Sequence, residues 1–262
     1  MELDADILEY YDRGDEQDRL TAANRLELLR TQDLLERSLP PAPAAILDVG
    51  GGPGVYAAWL TERGYDVVLV DPVPLHVEQA RARGCQDVRL GDARALDRPD
   101  RSADAVLLMG PLYHLVDRAE RLQAWREAAR VVRPGGLVAA ALISRYAALI
   151  DGVARDFALD PVFDEVAHRC AATGVMAPTK GVGFTTAYFH HPDEIADEVA
   201  EAGLALDAVY GIEGPGEWMA DLDARLDDPA RRHALLDLAR TIETEPSVLG
   251  ASGHLLVVAR AG

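Results

Sequence analysis

Residues 46–54 read ILDVGGGPG and constrain this chain more than any other stretch. A short apolar run ends in Asp48, and four glycines follow in five residues. Such a run reads as a buried strand. The glycines then let the backbone turn and approach a ligand where a Cβ would be in the way. The same rhythm continues downstream. Strands are expected over 44–49, 65–71, 87–92, 103–110 and 137–143, with helices over 54–64, 74–84 and 117–136. Continuous apolar strands alternating with helices mean parallel βαβ units covered on both faces, hence a doubly wound α/β domain.

Outside that stretch the pattern is looser. Leucines at 26, 29, 35 and 39 have helical spacing over 24–39, and PPAP (40–43) stops that helix. Residues 144–191 hold no clear strand and read as a helical and loop insertion over the carboxyl edge of the sheet. A helix over 191–203, a strand over 204–214, a helical segment over 216–244 broken at Pro229, and a strand over 253–261 complete the chain. The last two strands are expected to pair antiparallel at the edge. Residues 1–262 form a single domain in this reading, with 1–43 and 144–191 as two lids.

Two familiar uses of a glycine loop fit poorly. A phosphate-cradling P-loop needs Gly-Lys-Ser/Thr, and the sole lysine is the distant Lys180. The dinucleotide register G-x-G-x-x-G fails because the third glycine, Gly54, comes one residue early. The acids are more telling. Asp48, Asp71 and Asp92 end three consecutive expected strands, at the edge where open α/β sheets bind ligands. A carboxylate at Asp48 suits a cationic ligand, and one at Asp71 can accept ribose hydroxyls.

With these motifs together the chain resembles the class I S-adenosylmethionine-dependent methyltransferases. ILDVGGGPG looks like their glycine loop, VVLVDP their ribose motif and GDARAL their adenine motif. ADAVLLMGPLYHL looks like the strand before the acceptor pocket, and RVVRPGG like the turn before strand five. The resemblance covers 44–143 and implies a mostly parallel seven-stranded sheet with S-adenosylmethionine as cofactor. It implies that Gly50 and Gly52 admit the methionine part and that Asp48 favours its ammonium. It places Asp71, with Pro72, at the ribose, Asp92 and the Ala93 amide at the adenine, and Met109 and Gly110 beside the sulfonium. Arg25 is the candidate cation for the methionine carboxylate. Tyr113 and His114 are the candidate catalytic pair, with His114 suited by its pKa to take an acceptor's proton. Tyr10 and Tyr11 could fold over the cofactor, and Arg145, Phe184, Tyr188 and His190 are candidates for the opposite, substrate-facing wall.

Composition narrows the partners. The formal charge is −18, from 44 acids and 26 bases. Such a chain repels phosphate backbones, so a small-molecule acceptor is expected in place of nucleic acid or an anionic membrane. One alternative is methylation of a tRNA wobble-uridine carboxymethoxy group, because ETEPSVLGASGH (243–254) is similar to the ending of methyltransferases with that role. Another is cofactor binding without turnover. The two cysteines are far apart, and adjacent histidines such as His190–His191 rarely point the same way, so no metal is expected. The polar start and the lack of a run of about 18 apolar residues suggest a cytoplasmic protein. The acceptor atom and the oligomeric state stay open at this level.

Overall fold

The computed structural model describes residues 5–11, 14–177 and 184–262, so parts of both expected lids, 1–4, 12–13 and 178–183, lie outside the described residues. The strands are β1 Ala45–Val49, β2 Asp66–Asp71, β3 Asp87–Leu90, β4 Ala103–Leu108, β5 Val132–Ile143, β6 Val175–Met176, β7 Ala187–Tyr188, β8 Leu204–Gly211 and β9 His254–Ala261. The helices are α1 Ala5–Tyr11, α2 Arg19–Ala22, α3 Arg25–Ser38, α4 Val55–Glu62, α5 Pro74–Ala82, α6 Pro111–His114 and α7 Arg118–Val131. They continue with α8 Ala147–Ala154, α9 Pro161–Thr173, α10 Pro192–Glu201, α11 Leu222–Asp227, α12 Pro229–Ile242 and α13 Pro246–Leu249.

Seven strands form one sheet in the order β3-β2-β1-β4-β5-β9-β8. β1 to β5 run parallel, and β9 lies antiparallel between β5 and the edge strand β8. Strand residues alternate between two apolar layers, as period-2 geometry requires. Leu47, Val49, Val106 and Leu108 face a layer with Trp125 of α7 and Ile195 of α10. Ile46, Ala105 and Leu107 face the other, with Leu34 and Leu35 of α3 and Trp59 of α4. Strand order reverses between β1 and β4, and at such a switch point the connecting loops diverge and leave a crevice at the carboxyl edge.

Some boundaries differ from the sequence reading. The expected helix 117–136 stops at Val131, and β5 starts at Val132. Pro134 explains this, because the residue before a proline avoids the α region and proline lacks an amide donor. β3 ends at Leu90, so Asp92 sits two residues beyond the strand, in a bridge with Ala95. The 144–191 segment carries α8 and α9 as expected, and also the two-residue antiparallel ladder of β6 and β7. β8 and β9 do pair antiparallel, but β9 is interior to the sheet.

Candidate active site

The crevice is built on the glycine loop. Gly50, Gly52 and Gly54 take φ values of +70, +55 and +82 degrees, which only glycine adopts freely. A Cβ on Gly50 would meet Pro111 Cδ at 2.7 Å, whereas one on Gly52 would meet nothing within 4 Å and would enter the open crevice. The Gly50 amide donates to Val70 O at 2.7 Å, which ties the loop to β2.

Asp71 organises the next layer. It is 3% exposed. Its Oδ2 accepts from the Gly52 amide at 2.9 Å, and its Oδ1 from the Val73 amide at 2.9 Å. His76 Nδ1 lies 3.0 Å from Oδ1, and His76 Nε2 is buried without a partner among the described residues. Pro72, Asp92, Ala93, Met109 and Gly110 line the same crevice. Burial alone would raise the Asp92 carboxyl, but bonds from the Arg94 guanidinium and amide hold it low. Arg94 also pairs with Glu120 at 2.6 Å.

Asp48 lies differently from its expected place. It is fully buried beneath Gly51, does not line the crevice, and neither of its oxygens has a partner among the described residues. Burial, with the charge of Asp71 second, pushes its carboxyl up to about 7. From this position Asp48 does not reach the crevice directly, since its carboxyl lies under the Gly51 backbone.

Arg25 is also elsewhere. Its guanidinium bonds Asp227 at 2.8 Å and lies 3.8 Å from Asp223, on the outer side of α3 and away from the crevice. Arg19, which opens α2 six residues earlier in the chain, does line the crevice, paired with Glu16 and Glu27 at 2.7 Å each, as does Arg94, which is held by Asp92 and Glu120. Arg19 and Arg25 precede the same apolar helical pattern, and periodicity alone does not separate them.

A second cavity of about 490 Å³ adjoins the first. The two share Tyr11, Glu16, Arg19, Tyr113 and His254 on their walls. Phe184 lines this second space. The Tyr11 hydroxyl is 2.6 Å from His114 Nε2, which joins α1 to α6 across the crevice. Burial lowers the His114 pKa to about 4, so its ring is neutral at pH 7. A neutral ring meets the Tyr11 hydroxyl at Nε2 as donor or acceptor according to its tautomer, and either way that nitrogen is engaged and not free to receive an acceptor's proton.

Arg145, Tyr188 and His190 line neither cavity. Arg145 donates to Phe189 O at 2.7 Å and to both Glu194 oxygens at 2.7 and 2.9 Å, and the Tyr188 hydroxyl donates to Glu194 at 2.8 Å. Arg121 stacks 3.7 Å over the Tyr188 ring and pairs with Glu198 at 2.8 Å. His190 Nε2 lies 3.6 Å from the second Glu198 oxygen. This polar network binds the 144–191 segment to α7 and α10, which occupies the groups expected at a substrate wall. His191 caps α10 by accepting from the Asp193 amide.

The sequence reading passed over Glu27, Glu213, Glu217 and His254. His254 starts β9 opposite Ile143, and because β9 is antiparallel its first residue falls at the edge where β1 to β5 end. That pairing was the signal available in the sequence. His254 Nδ1 is 2.6 Å from Glu213 Oε1 and 3.8 Å from Glu27 Oε2. Burial alone would lower the imidazole, but Glu27 and Glu213 outweigh it and lift the pKa to about 10. Glu27, Glu213 and His254 could surround a cation by distance. Arg19 and the imidazolium already balance those carboxylates, so the trio reads as an ion-pair network.

The crevice fits S-adenosylmethionine. Asp71 offers a carboxylate for a diol, Ala93 an amide beside Asp92, Arg19 a cation, and Gly52 an opening no side chain fills. The methyltransferase domain family profile matches residues 47–140, which span β1 to β5. An uncharacterised methyltransferase of Mycobacterium tuberculosis is 44% identical over 99 residues, covering 37% of this chain and 39% of that protein. The match thus spans well under half the length of that relative. A ubiquinone biosynthesis O-methyltransferase of Cereibacter sphaeroides is 28% identical over 197 residues, 73% of this chain and 72% of the relative. Among solved structures, an S-adenosylmethionine-dependent methyltransferase of Mesorhizobium loti superposes with a TM-score of 0.61 at 18% identity, covering 90% of this chain and 99% of that one. At that identity the likeness is one of fold.

Proposed function

We propose that this chain, which carries a methyltransferase domain in the fold of the class I S-adenosylmethionine-dependent family, transfers a methyl group from that cofactor to a small-molecule acceptor. One observation carries the reading. The crevice bounded by Gly52, Asp71 and Asp92 meets a second cavity of small-molecule size along the shared wall of Tyr11, Arg19, Tyr113 and His254. When bound, the cofactor supplies an electrophilic methyl on a sulfonium. Asp71 would accept the ribose hydroxyls, the Ala93 amide and Asp92 would hold the adenine, and Arg19 would receive the methionine carboxylate, with the Met109–Gly110 backbone beside the sulfonium. α1, fastened to α6 by Tyr11 and His114, covers the crevice and limits water. Alignment of acceptor and methyl can then supply much of the rate.

The relatives named for ubiquinone biosynthesis support a small-molecule acceptor. The net charge of −18 weighs against the tRNA reading. The test is incubation of the protein with methyl-labelled S-adenosylmethionine and extract divided into small-molecule, tRNA and protein fractions. Label is expected in the small-molecule fraction. Label in tRNA would establish the alternative, and label nowhere would favour binding without turnover.

A further inference from the structure

We infer that the second cavity takes a small molecule bearing a protonated amine on an aromatic or apolar body, and that Glu217 is the carboxylate that receives the amine. The inference rests on the methyltransferase reading only for the fate of that amine. The walls are largely aromatic, with Tyr113, Phe163, Phe184, Phe189 and Trp218 among them. Aromatic faces attract a cation as well as an apolar body.

The charges of the wall favour the same ligand. Glu16 pairs with Arg19, Asp151 pairs with Arg155 at 2.6 Å, and Asp160 accepts the Val162 amide as the cap of α9. Just behind the wall, Glu27 is held by Arg19 and Glu213 by His254. Glu217 differs. Its Oε2 accepts the Gly253 amide at 3.1 Å, and among the described residues no cationic side chain lies within salt-bridge distance of it. It adjoins His254, which both cavities share. A hydroxyl acceptor gives Glu217 no charged partner and leaves it the neutral acid, whereas an ammonium supplies the partner that its carboxylate lacks.

Burial, then the charge of Glu213, pushes the Glu217 carboxyl up to about 8; Glu27 adds to this, while His254 opposes it. At pH 7 the empty cavity therefore holds mostly the acid. An arriving ammonium favours the carboxylate and expels that proton to water, so amine binding should strengthen as pH rises toward about 8. Before transfer the ammonium must lose a proton. Its N–H bond breaks, an O–H bond forms on Glu217, and the nitrogen lone pair is freed. The nitrogen then bonds the methyl carbon, the S–C electron pair stays on sulfur as a neutral thioether, and the product is a methylated ammonium.

The probes are phenethylamine and 2-phenylethanol, which share a body and differ in charge. Each is titrated by calorimetry at pH 7.5 into wild type and Glu217→Gln, with and without S-adenosylhomocysteine. The amine should bind wild type at least about tenfold more tightly than the alcohol, as expected for a charge-assisted bond. In Glu217→Gln the two should agree within about threefold. Proton release on amine binding, read in buffers of different ionisation enthalpy, should occur in wild type and vanish in the variant. Equal binding of the two probes by wild type, or an amine preference that survives in Glu217→Gln, would overturn the inference. Failure to bind S-adenosylhomocysteine would count against the methyltransferase reading instead, since the amine preference is measured separately without it.

Discussion

Asp71→Ala is expected to weaken S-adenosylmethionine binding at least about tenfold while the protein remains folded. A hydrogen bond to a charged group contributes about 1.5–3 kcal/mol, and the carboxylate offers acceptors to both ribose hydroxyls. The variant also removes the acceptor for the Gly52 and Val73 amides and the partner of His76. The glycine loop should therefore loosen as well as lose a ligand. Asp71→Asn separates the two effects, because an amide oxygen can still accept from one backbone donor. Asparagine should recover part of the thermal stability and little of the affinity. Calorimetry that gave unchanged affinity for Asp71→Ala would remove this residue from the cofactor site.

Glu198→Ala should cost more stability than any surface substitution. Arg121 and Glu198 are 2% and 3% exposed, and the Glu198 carboxylate takes Arg121 Nε at 3.0 Å and a terminal guanidinium nitrogen at 2.8 Å. Removing one member strands the other charge in the interior, at a cost of about 3–5 kcal/mol. For a chain of this size that lowers Tm by roughly 6–20 °C. The paired change Arg121→Met with Glu198→Leu removes both charges and should regain much of the loss. Burial alone would raise the Glu198 carboxyl, but His190 and Arg121 outweigh it and hold it at about 2, below its ordinary 4.5. A depressed carboxylate stabilises the fold above its unfolded pKa. That contribution should fade between about pH 4.5 and 2, and in Glu198→Ala this part of the acid sensitivity should be missing. Thermal melts of both variants against pH check this, and a Tm for Glu198→Ala within a degree of wild type would show that the ion pair contributes nothing.

The central sheet was legible because β1, β2 and β4 are largely apolar runs that meet Gly50, Asp71 and Gly110 at or near their ends, and β5 carries the apolar run LVAAALI. Asp71, Gly50 and Gly52 could be placed because strand ends and loop glycines are local signals, whereas Asp92 lines the same crevice from two residues past its strand. The cation was not local. Arg19 opens α2 and Arg25 opens α3, both ahead of the same leucine pattern, and only packing, against Glu27 for one and Asp227 for the other, distinguishes them. Arg145, Tyr188 and His190 carry chemically versatile side chains in a segment over the sheet edge, and that suggested a substrate wall. Their partners Glu194, Glu198 and Arg121 come from other elements, and these contacts are invisible to spacing. His254 and Glu217 lie near the chain's end. His254 reaches the site because β9 runs against its neighbours, and Glu217 because it follows β8, whose last residue Gly211 pairs with Leu255 at the same edge, a property of topology and not of any short motif.

The central claim is that the crevice beneath the glycine loop is an S-adenosylmethionine site. Calorimetric titration of the wild-type protein with S-adenosylhomocysteine and, separately, with NAD tests it most directly. Saturable binding of one S-adenosylhomocysteine per chain with no detectable binding of NAD is the predicted result. Binding of NAD with none of S-adenosylhomocysteine would contradict it.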